Sequence, residues 1–296
     1  MTIQCVAIIS PGDMGHAVGR ALGEHGRNVI TCLAGRGEGS RQRAKAANMR
    51  DAGSLEAMVS QADLVLSIMP PESAAEAAAQ VAAAMQATGK KPPYADCNAI
   101  SPDTAHRVGK PLTDVGSLFI DAGIIGPAPG RGEPPRFYTS GPDVSPLMAL
   151  HGQGIDVRPI GDAIGRASGM KMVYAALTKG TTTLHTAVLL AAASLGLSDE
   201  LHGELKSSQQ GAWAAMQKSV PFLPADSGRW IGEMEEIAAT FAAAGVTPHY
   251  HQGAAAIHRL LVKTPYANET RATLDRSRTV EQAVATYRKF LPMPKS

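Results

Sequence analysis

Residues 3–15 read IQCVAIISPGDMG, and this stretch decides the fold. An apolar run, Val6 to Ile9, stops abruptly at Ser10 and Pro11. Gly12, Asp13, Met14 and Gly15 then lead into an Ala-rich helical pattern. The order is strand, tight turn, helix. In such a unit the turn brings backbone N–H groups up to a dinucleotide pyrophosphate, and the positive end of the helix faces it. Gly12 and Gly15 hold the second and third glycine positions of a G-x-G-x-x-G pattern: one lets the backbone approach the phosphates, the other lets the helix pack on the strand. Ser10 stands at the first position. A serine resists the left-handed conformation that glycine accepts, so the expectation is a turn made without positive φ at Ser10.

Outward from this unit the first half of the chain alternates strand-like and helix-like segments. Strands are expected at 6–9, 29–33, 64–68, 94–97, 118–125, 137–140 and 157–160, with helices at 15–24, 40–47, 54–60, 73–87 and 103–108. This alternation predicts a doubly wound α/β sheet of Rossmann type, mostly parallel, turning antiparallel at one edge where strands follow closely with Gly and Pro between them. Beyond residue 161 the texture is helical throughout. One long helix is expected at 163–196, then helices at 200–216, 229–244, 250–262 and 280–290, with a proline-rich loop at 220–227. The expected division is an NAD(P)-binding domain at 1–162 and an all-α substrate and dimerisation domain at 163–296.

Composition narrows the class. With 44% hydrophobic and 18% charged residues over 296 positions, the chain can bury a sizeable core. A net charge of +2 without a basic stripe argues against nucleic acid as partner. Cys5, Cys32 and Cys97 are widely spaced in apolar runs, as reduced thiols of a cytoplasmic protein are. No window reaches the length of a membrane span, and no basic and apolar leader precedes the first strand, so neither membrane nor export is expected.

The segment after the second strand bears on the cofactor. It reads TCLAGRGEGSRQR, with no acid before Glu38 but with Arg36, Ser40, Arg41 and Arg43. An acid there would accept from the ribose hydroxyls of NAD(H), whereas an arginine fork suits a 2′-phosphate. NADP(H) is therefore preferred and NAD(H) is the alternative, with Glu38 the residue that could reverse the choice.

Four further segments follow in order: LVLSIMPP, ending in Met69, Pro70 and Pro71; ADCNAISP, with Asn98; FIDAGIIG; and GDAIGRASGMKMVYA, with Lys171 early in the long helix. Together with the opening turn they resemble the β-hydroxyacid dehydrogenase superfamily, which includes 3-hydroxyisobutyrate and 6-phosphogluconate dehydrogenases. The GRGEGSRQRA, GMKM…TKG and RWIGEMEEIA segments are similar to a branch with a helical C-terminal domain of unknown function. The resemblance implies that Lys171 is the general acid/base of a hydride transfer, protonating a carbonyl oxygen as it gains charge. It implies cofactor contacts at Ser10, Pro11, Gly12, Asp13, Met14, Gly15, Arg36, Ser40, Arg41, Met69, Pro70, Pro71 and Asn98, and a homodimer built through the helical domain.

The chain also departs from the family pattern. The asparagine one turn after the lysine is missing, and Tyr174 and Ala175 occupy that turn. Tyr174 is either a donor to substrate or a packing residue, and Lys179 either a carboxylate ligand or a structural lysine. The family's Ser-Gly-Gly substrate loop becomes Ile125, Gly126 and Pro127, which loses a hydroxyl and an amide donor. Arg229 is a substitute for a lysine missing near Gly232, and Arg131 and Arg136 are further partners for an anion. His249, His251 and His258 do not make a metal set, because the first two need a strand to point the same way and this stretch reads as helix. The expected function is an NADP(H)-dependent dehydrogenase or reductase of a small hydroxy acid or related alcohol. The alternatives are imine reduction and a non-catalytic NADP(H) sensor.

Overall fold

The structure, a computed structural model, describes residues 2–270 and 273–292. The chain divides into two compact units, one up to Met172 and one from Val173 onward. The dividing point falls inside a continuous helix. In architecture the chain is the expected Rossmann-type α/β domain followed by helices.

The first unit is built on one eight-stranded sheet in the order β3-β2-β1-β4-β5-β6-β7-β8. Its strands are β1 (Cys5–Ile9), β2 (Asn28–Thr31), β3 (Arg50–Asp51), β4 (Leu64–Ser67), β5 (Tyr94–Asp96), β6 (Phe119–Ile125), β7 (Arg136–Ser140) and β8 (Asp156–Pro159). The first six run parallel. The sheet reverses between β6 and β7, and β8 runs parallel to β7. The helices are α1 (Asp13–Glu24), α2 (Glu38–Ala46), α3 (Leu55–Gln61), α4 (Ala74–Thr88), α5 (Pro102–Asp114) and the short α6 (Ser145–Met148). Two apolar layers cover the sheet, one around Ile8, Leu22, Leu66 and Phe137, the other around Ala7, Val65, Met85 and Tyr94. Strand order reverses between β1 and β4, so the crevice at their C-terminal ends is the topological switch point where ligands bind in open α/β sheets.

Two elements of this unit differ from expectation. Strand β3 has only two residues, too short for a periodicity signal. Helix α5 runs on past Val108, through Pro111, to Asp114. Ser101 caps it by accepting from the Thr104 amide, and Gly109 lies where a Cβ would be 2.7 Å from the Phe119 ring. Packing against β6 thus carries the helix over a proline that would end it in isolation.

The long helix α7 spans Arg166–Leu195, starting after Gly165, whose φ of +93° is not helical. The second unit continues with α8 (Ser198–Ser208), α9 (Gln210–Ser219), α10 (Pro224–Ala243), α11 (His249–Leu261) and α12 (Val280–Arg288). Its core gathers Leu189, Trp213, Met216, Leu223, Leu261 and Tyr287. The single helix expected at 200–216 is two: the chain bends at Gln209, α8 buries no residue, and α9 turns Trp213 and Met216 inward. The proline-rich loop expected at 220–227 is instead a 3-10 turn, Val220–Phe222, followed directly by α10 with Pro224 in its first turn, where its missing N–H is no loss. Among the described residues no helix is long and apolar enough to cross a membrane.

Candidate cofactor site and the seat of Lys171

The turn after β1 corrects the sequence expectation. Ser10 adopts φ +67°, the left-handed conformation itself, and its carbonyl accepts from the Gly12 amide at 2.8 Å. The serine thus performs the first glycine's function, at the roughly 1–2 kcal/mol that a Cβ adds in that region. The turn is held from outside by the Arg43 guanidinium of α2, which donates to the Pro11 carbonyl at 2.9 Å. Gly15 could be nothing else: a Cβ there would stand 2.6 Å from the Ser10 carbonyl oxygen. Met14 packs on the layer beneath β1. Gly12 precedes α1 with no side-chain cap, and a Cβ on it would meet no protein atom within 4 Å. The helix end therefore opens onto space, with first-turn N–H groups that lack intrahelical partners. Asp13, first residue of α1, receives both terminal nitrogens of Arg131 on its two carboxylate oxygens, each at 2.9 Å.

Beside this turn is a cavity of about 420 Å³ between the end of β2 and the starts of α3 and α4. Ile9, Cys32, Arg36, Met69, Glu56 and Glu76 are among its lining residues. The arginines expected to share one task separate here. Arg36 lines the cavity, while Arg41 folds back to donate to the carbonyls of Leu33 and Arg36 at 2.9 and 3.2 Å. Ser40 lies half-buried in the first turn of α2, and Glu38 accepts from Gln42 on the same helix. The two glutamates were not seen in the sequence because they arrive from α3 and α4, far from the β2 loop.

The β4 turn is clamped from below. Asn98 is 2% exposed; its Oδ1 accepts from the Met69 amide at 2.7 Å, and its Nδ2 donates to Ser67 Oγ at 2.9 Å and Asp96 Oδ2 at 2.8 Å. Sequence placed Asn98 toward the cofactor. Its amide protons instead go to the protein, and it acts on the site by fixing Met69. Pro70 is exposed and Pro71 buried, at the start of a 3-10 turn leading into α4. Burial pushes the Asp96 carboxyl up to about 7, against the pull of the Asn98 donors and with a further push from neighbouring Asp121.

Lys171 is positioned by two β6 residues that sequence reading passed over. Asp121 is fully buried, and its Oδ2 accepts from the amides of Gly165, Ala167 and Ser168 at 2.8, 3.0 and 3.1 Å. Ser140 and Ser168 donate their hydroxyls to the same carboxylate. The charge thus closes the N-terminus of α7, where an anion is favoured. Two residues on, and so on the same face of the strand, is Gly123. A Cβ there would stand 2.7 Å from the Cβ of Lys171 and 2.9 Å from the Ala167 carbonyl oxygen. The helix therefore lies directly on β6, with half-buried Lys171 at the contact. The available signal was an acid and a glycine at strand spacing inside the apolar run FIDAGII.

The candidate substrate residues divide between the two units. Ile125 ends β6 buried, Gly126 takes φ +123°, and Pro127 is exposed in the following loop. Tyr174 is 40% exposed. In the helical unit Lys179 forms an ion pair with Glu233 and stands 4.7 Å from the Trp230 ring centroid. Arg229 pairs with Asp226 one turn earlier on α10, at 2.6 Å. Next to the lysine pair, His258 is held between Ser227 Oγ (2.9 Å) and Thr183 Oγ1 (3.1 Å). Burial first, then the Lys179 charge, lowers its pKa to about 4. His249 bonds Gln252, and His251 packs between Phe241 and Tyr250, so the three histidines serve three different neighbourhoods. Among the described residues no group of three or more His, Cys, Asp or Glu could hold a metal ion.

Residues 5–144 match the NAD binding domain of 6-phosphogluconate dehydrogenase, and residues 192–261 match a domain of unknown function, DUF1932. An uncharacterized 28.5 kDa protein of Methanothermus fervidus is 28% identical over 191 residues, which is 64% of this chain and 72% of that protein. The 3-hydroxyisobutyrate dehydrogenase of Mycobacterium tuberculosis, solved with L-serine, gives a TM-score of 0.67 at 20% identity, over 95% of this chain and 99% of that one. An imine reductase of Streptomyces aurantiacus gives 0.53 at 18% identity, over 95% and 99%. At these identities the two solved structures share the fold.

Proposed function

We propose that the chain belongs to the β-hydroxyacid dehydrogenase superfamily and uses NADP(H) to interconvert a small hydroxy acid, or related alcohol, and its carbonyl compound. The residues present fit a dinucleotide. The open N-terminus of α1 suits the pyrophosphate, and the cavity lined by Arg36 suits the adenosine end and its 2′-phosphate. When bound, the dinucleotide accepts or supplies the hydride. Lys171 takes the hydroxyl proton in the oxidative direction and returns it to the carbonyl oxygen in the reductive one. The observation carrying this role is the seat of Lys171, fixed against Gly123 by a helix whose N-terminus is closed on Asp121. An acid/base held by rigid backbone keeps its geometry through the transfer.

A second reading, reduction of an imine or a ketone without a carboxylate, draws on the pairing of Lys179 with Glu233 and of Arg229 with Asp226. Both candidate carboxylate ligands already hold an acid.

The test is Lys171→Ala, assayed with NADPH and NADH over hydroxy acids, alcohols, aldehydes, ketones and imines. Turnover should fall about 10²- to 10⁴-fold while the NADPH dissociation constant stays within about twofold. Undiminished turnover rejects the lysine mechanism, and dinucleotide binding with no turnover on any substrate favours the sensor. Equal wild-type affinities for NADPH and NADH refute the cofactor preference. The same preparation, weighed by light scattering, tests a second copy packed on α7, where Val173, Leu177 and Leu184 are 57%, 69% and 45% exposed. A monomer's mass contradicts that assembly.

A further inference from the structure

Asp13 suits a helix end but stands in the turn that a pyrophosphate would approach. The first turn of α1 presents the partial positive charge that draws an anion, and Asp13 places a carboxylate in that turn. A carboxylate there competes with a pyrophosphate for the same N–H groups and repels its charge. Arg131 meets Asp13 with a two-pronged, charge-assisted contact reaching across 118 positions of sequence.

The arginine's loop is built to deliver it. The loop leaves β6 after Ile125 and reaches β7 at Arg136, so it starts three residues beyond the glycine on which Lys171 sits. Prolines 127, 129, 134 and 135 limit its backbone, and Gly126, Gly130 and Gly132 supply positive φ values of 123°, 83° and 136°. A turn closes at the arginine itself, whose amide donates to the Ala128 carbonyl at 3.1 Å. Both partners remain about half exposed, with side-chain accessibilities of 44% and 54%. A pair in that setting contributes little to stability, because water screens it. Its consequence is electrostatic and local to the turn.

We propose that Arg131 is a cofactor-positioning residue: it neutralises Asp13 and so opens the N-terminus of α1 to the dinucleotide pyrophosphate, with loop 126–135 as the strap that carries it. This rests on the dinucleotide reading above. It assigns to Arg131 a role exerted through Asp13, which predicts a reversal that direct contact with the cofactor would not give. Without Arg131, the carboxylate loses this two-pronged cationic contact and its charge opposes the phosphates more strongly. Without both residues, the obstacle and its remedy vanish together.

The experiment measures NADPH dissociation constants by fluorescence, at low and at physiological salt, for wild type, Arg131→Ala, Asp13→Asn and the double variant. Arg131→Ala should bind about tenfold more weakly, with the deficit shrinking as salt screens Asp13. Asp13→Asn should bind about two- to threefold more tightly than wild type. The double variant should return to within about twofold of wild type. Melting temperatures of all four should stay close, which separates the electrostatic role from a structural one. Wild-type affinity in Arg131→Ala overturns the proposal, and so does a double variant as weak as Arg131→Ala, which would mark direct contact. If wild type binds neither NADPH nor NADH, the dinucleotide reading itself fails and takes this inference with it.

Discussion

Helices α1 and α7 begin in opposite ways. By construction each has N–H groups in its first turn with no intrahelical partner. At α7 the chain supplies the acceptor itself: the Asp121 carboxylate takes the amides of Gly165, Ala167 and Ser168. At α1 the preceding residue is Gly12, which has no side chain to offer and faces space free of protein atoms. The closed helix end is an anchor, and it sets Lys171 on the sheet. On the reading proposed above, the open one is a receptor for an anion. The same backbone feature then supports structure at one place and binding at the other, depending on whether an acid from the next layer fills it.

The hardest test of this contrast is removal of the acid. Asp121→Ala leaves several buried N–H groups and the Ser168 hydroxyl without their acceptor, and each unsatisfied buried group costs about 1–3 kcal/mol. The expected loss is about 3–5 kcal/mol, or roughly 10 °C in melting temperature, read by thermal denaturation. Asp121→Asn keeps one acceptor oxygen and should fall between. A melting temperature within about 2 °C of wild type for the alanine variant would break the comparison.

A pair of glycine substitutions sharpens it at the open end. Gly15→Ala puts a Cβ 2.6 Å from a backbone oxygen and should destabilise the first unit by about 1–3 kcal/mol as well as impair binding. Gly12→Ala meets nothing in the protein, and its φ of −73° suits alanine. Its stability should stay within about 0.5 kcal/mol of wild type, while dinucleotide affinity drops about tenfold or more, because its methyl occupies the space the phosphates need. Stability by melting and affinity by fluorescence should separate the two variants. If Gly12→Ala binds normally, the space at α1 is not the phosphate site.

The residues explain why the anchor was harder to read in sequence than the receptor. The βα turn, the strand order implied by β-α alternation and the long α7 all follow from local periodicity and from glycines at fixed spacing. The conformation of Ser10 did not follow, because serine's preference opposes it. Tertiary packing overrides that preference: the Ser10 carbonyl lies against Gly15, and Arg43 of α2 ties down Pro11. Asp121 and Gly123 act through partners dozens of positions away, and Glu56 and Glu76 meet the β2 loop only as linings of one cavity, so no window of sequence contains both halves of such an arrangement. Arg131 was visible as an arginine available to an anion. Its partner Asp13 was visible as part of the turn. Only the fold joins them.

The smallest expected effect concerns a second buried acid, Asp96, which pairs in register with Asp121 across β5 and β6. It has fewer donors than its neighbour, the amide and Nδ2 of Asn98. Burial raises its pKa from 3.8 to about 7, so the folded chain binds a proton there that the unfolded chain has already lost. Between the two values the native state carries more protons than the unfolded state, and stability must fall as pH rises through that window, levelling off above about 7. His258 acts in the other direction: its pKa, lowered from 6.5 to about 4, makes its contribution fall as pH drops through that range. Between pH 6.5 and 7.5 the unfolded chain still sheds protons from His258, and from His185 and His251, whose pKa values burial also lowers, so these histidines raise stability over the same interval in which Asp96 lowers it. The histidine contribution is common to wild type and Asp96→Asn, so the difference between them isolates Asp96, and that difference should change by less than about 1 kcal/mol. Urea midpoints at those two pH values should fall for wild type relative to Asp96→Asn. The same change in both would place the titration elsewhere. Because Asp96 acts on Asn98, and Asn98 on the Met69 amide at the edge of the cavity, dinucleotide affinity should be compared over the same interval. A dependence there that Asp96→Asn abolishes would extend the contrast from helix ends to the strand turn between them: the site stays open where the layer beneath it is satisfied.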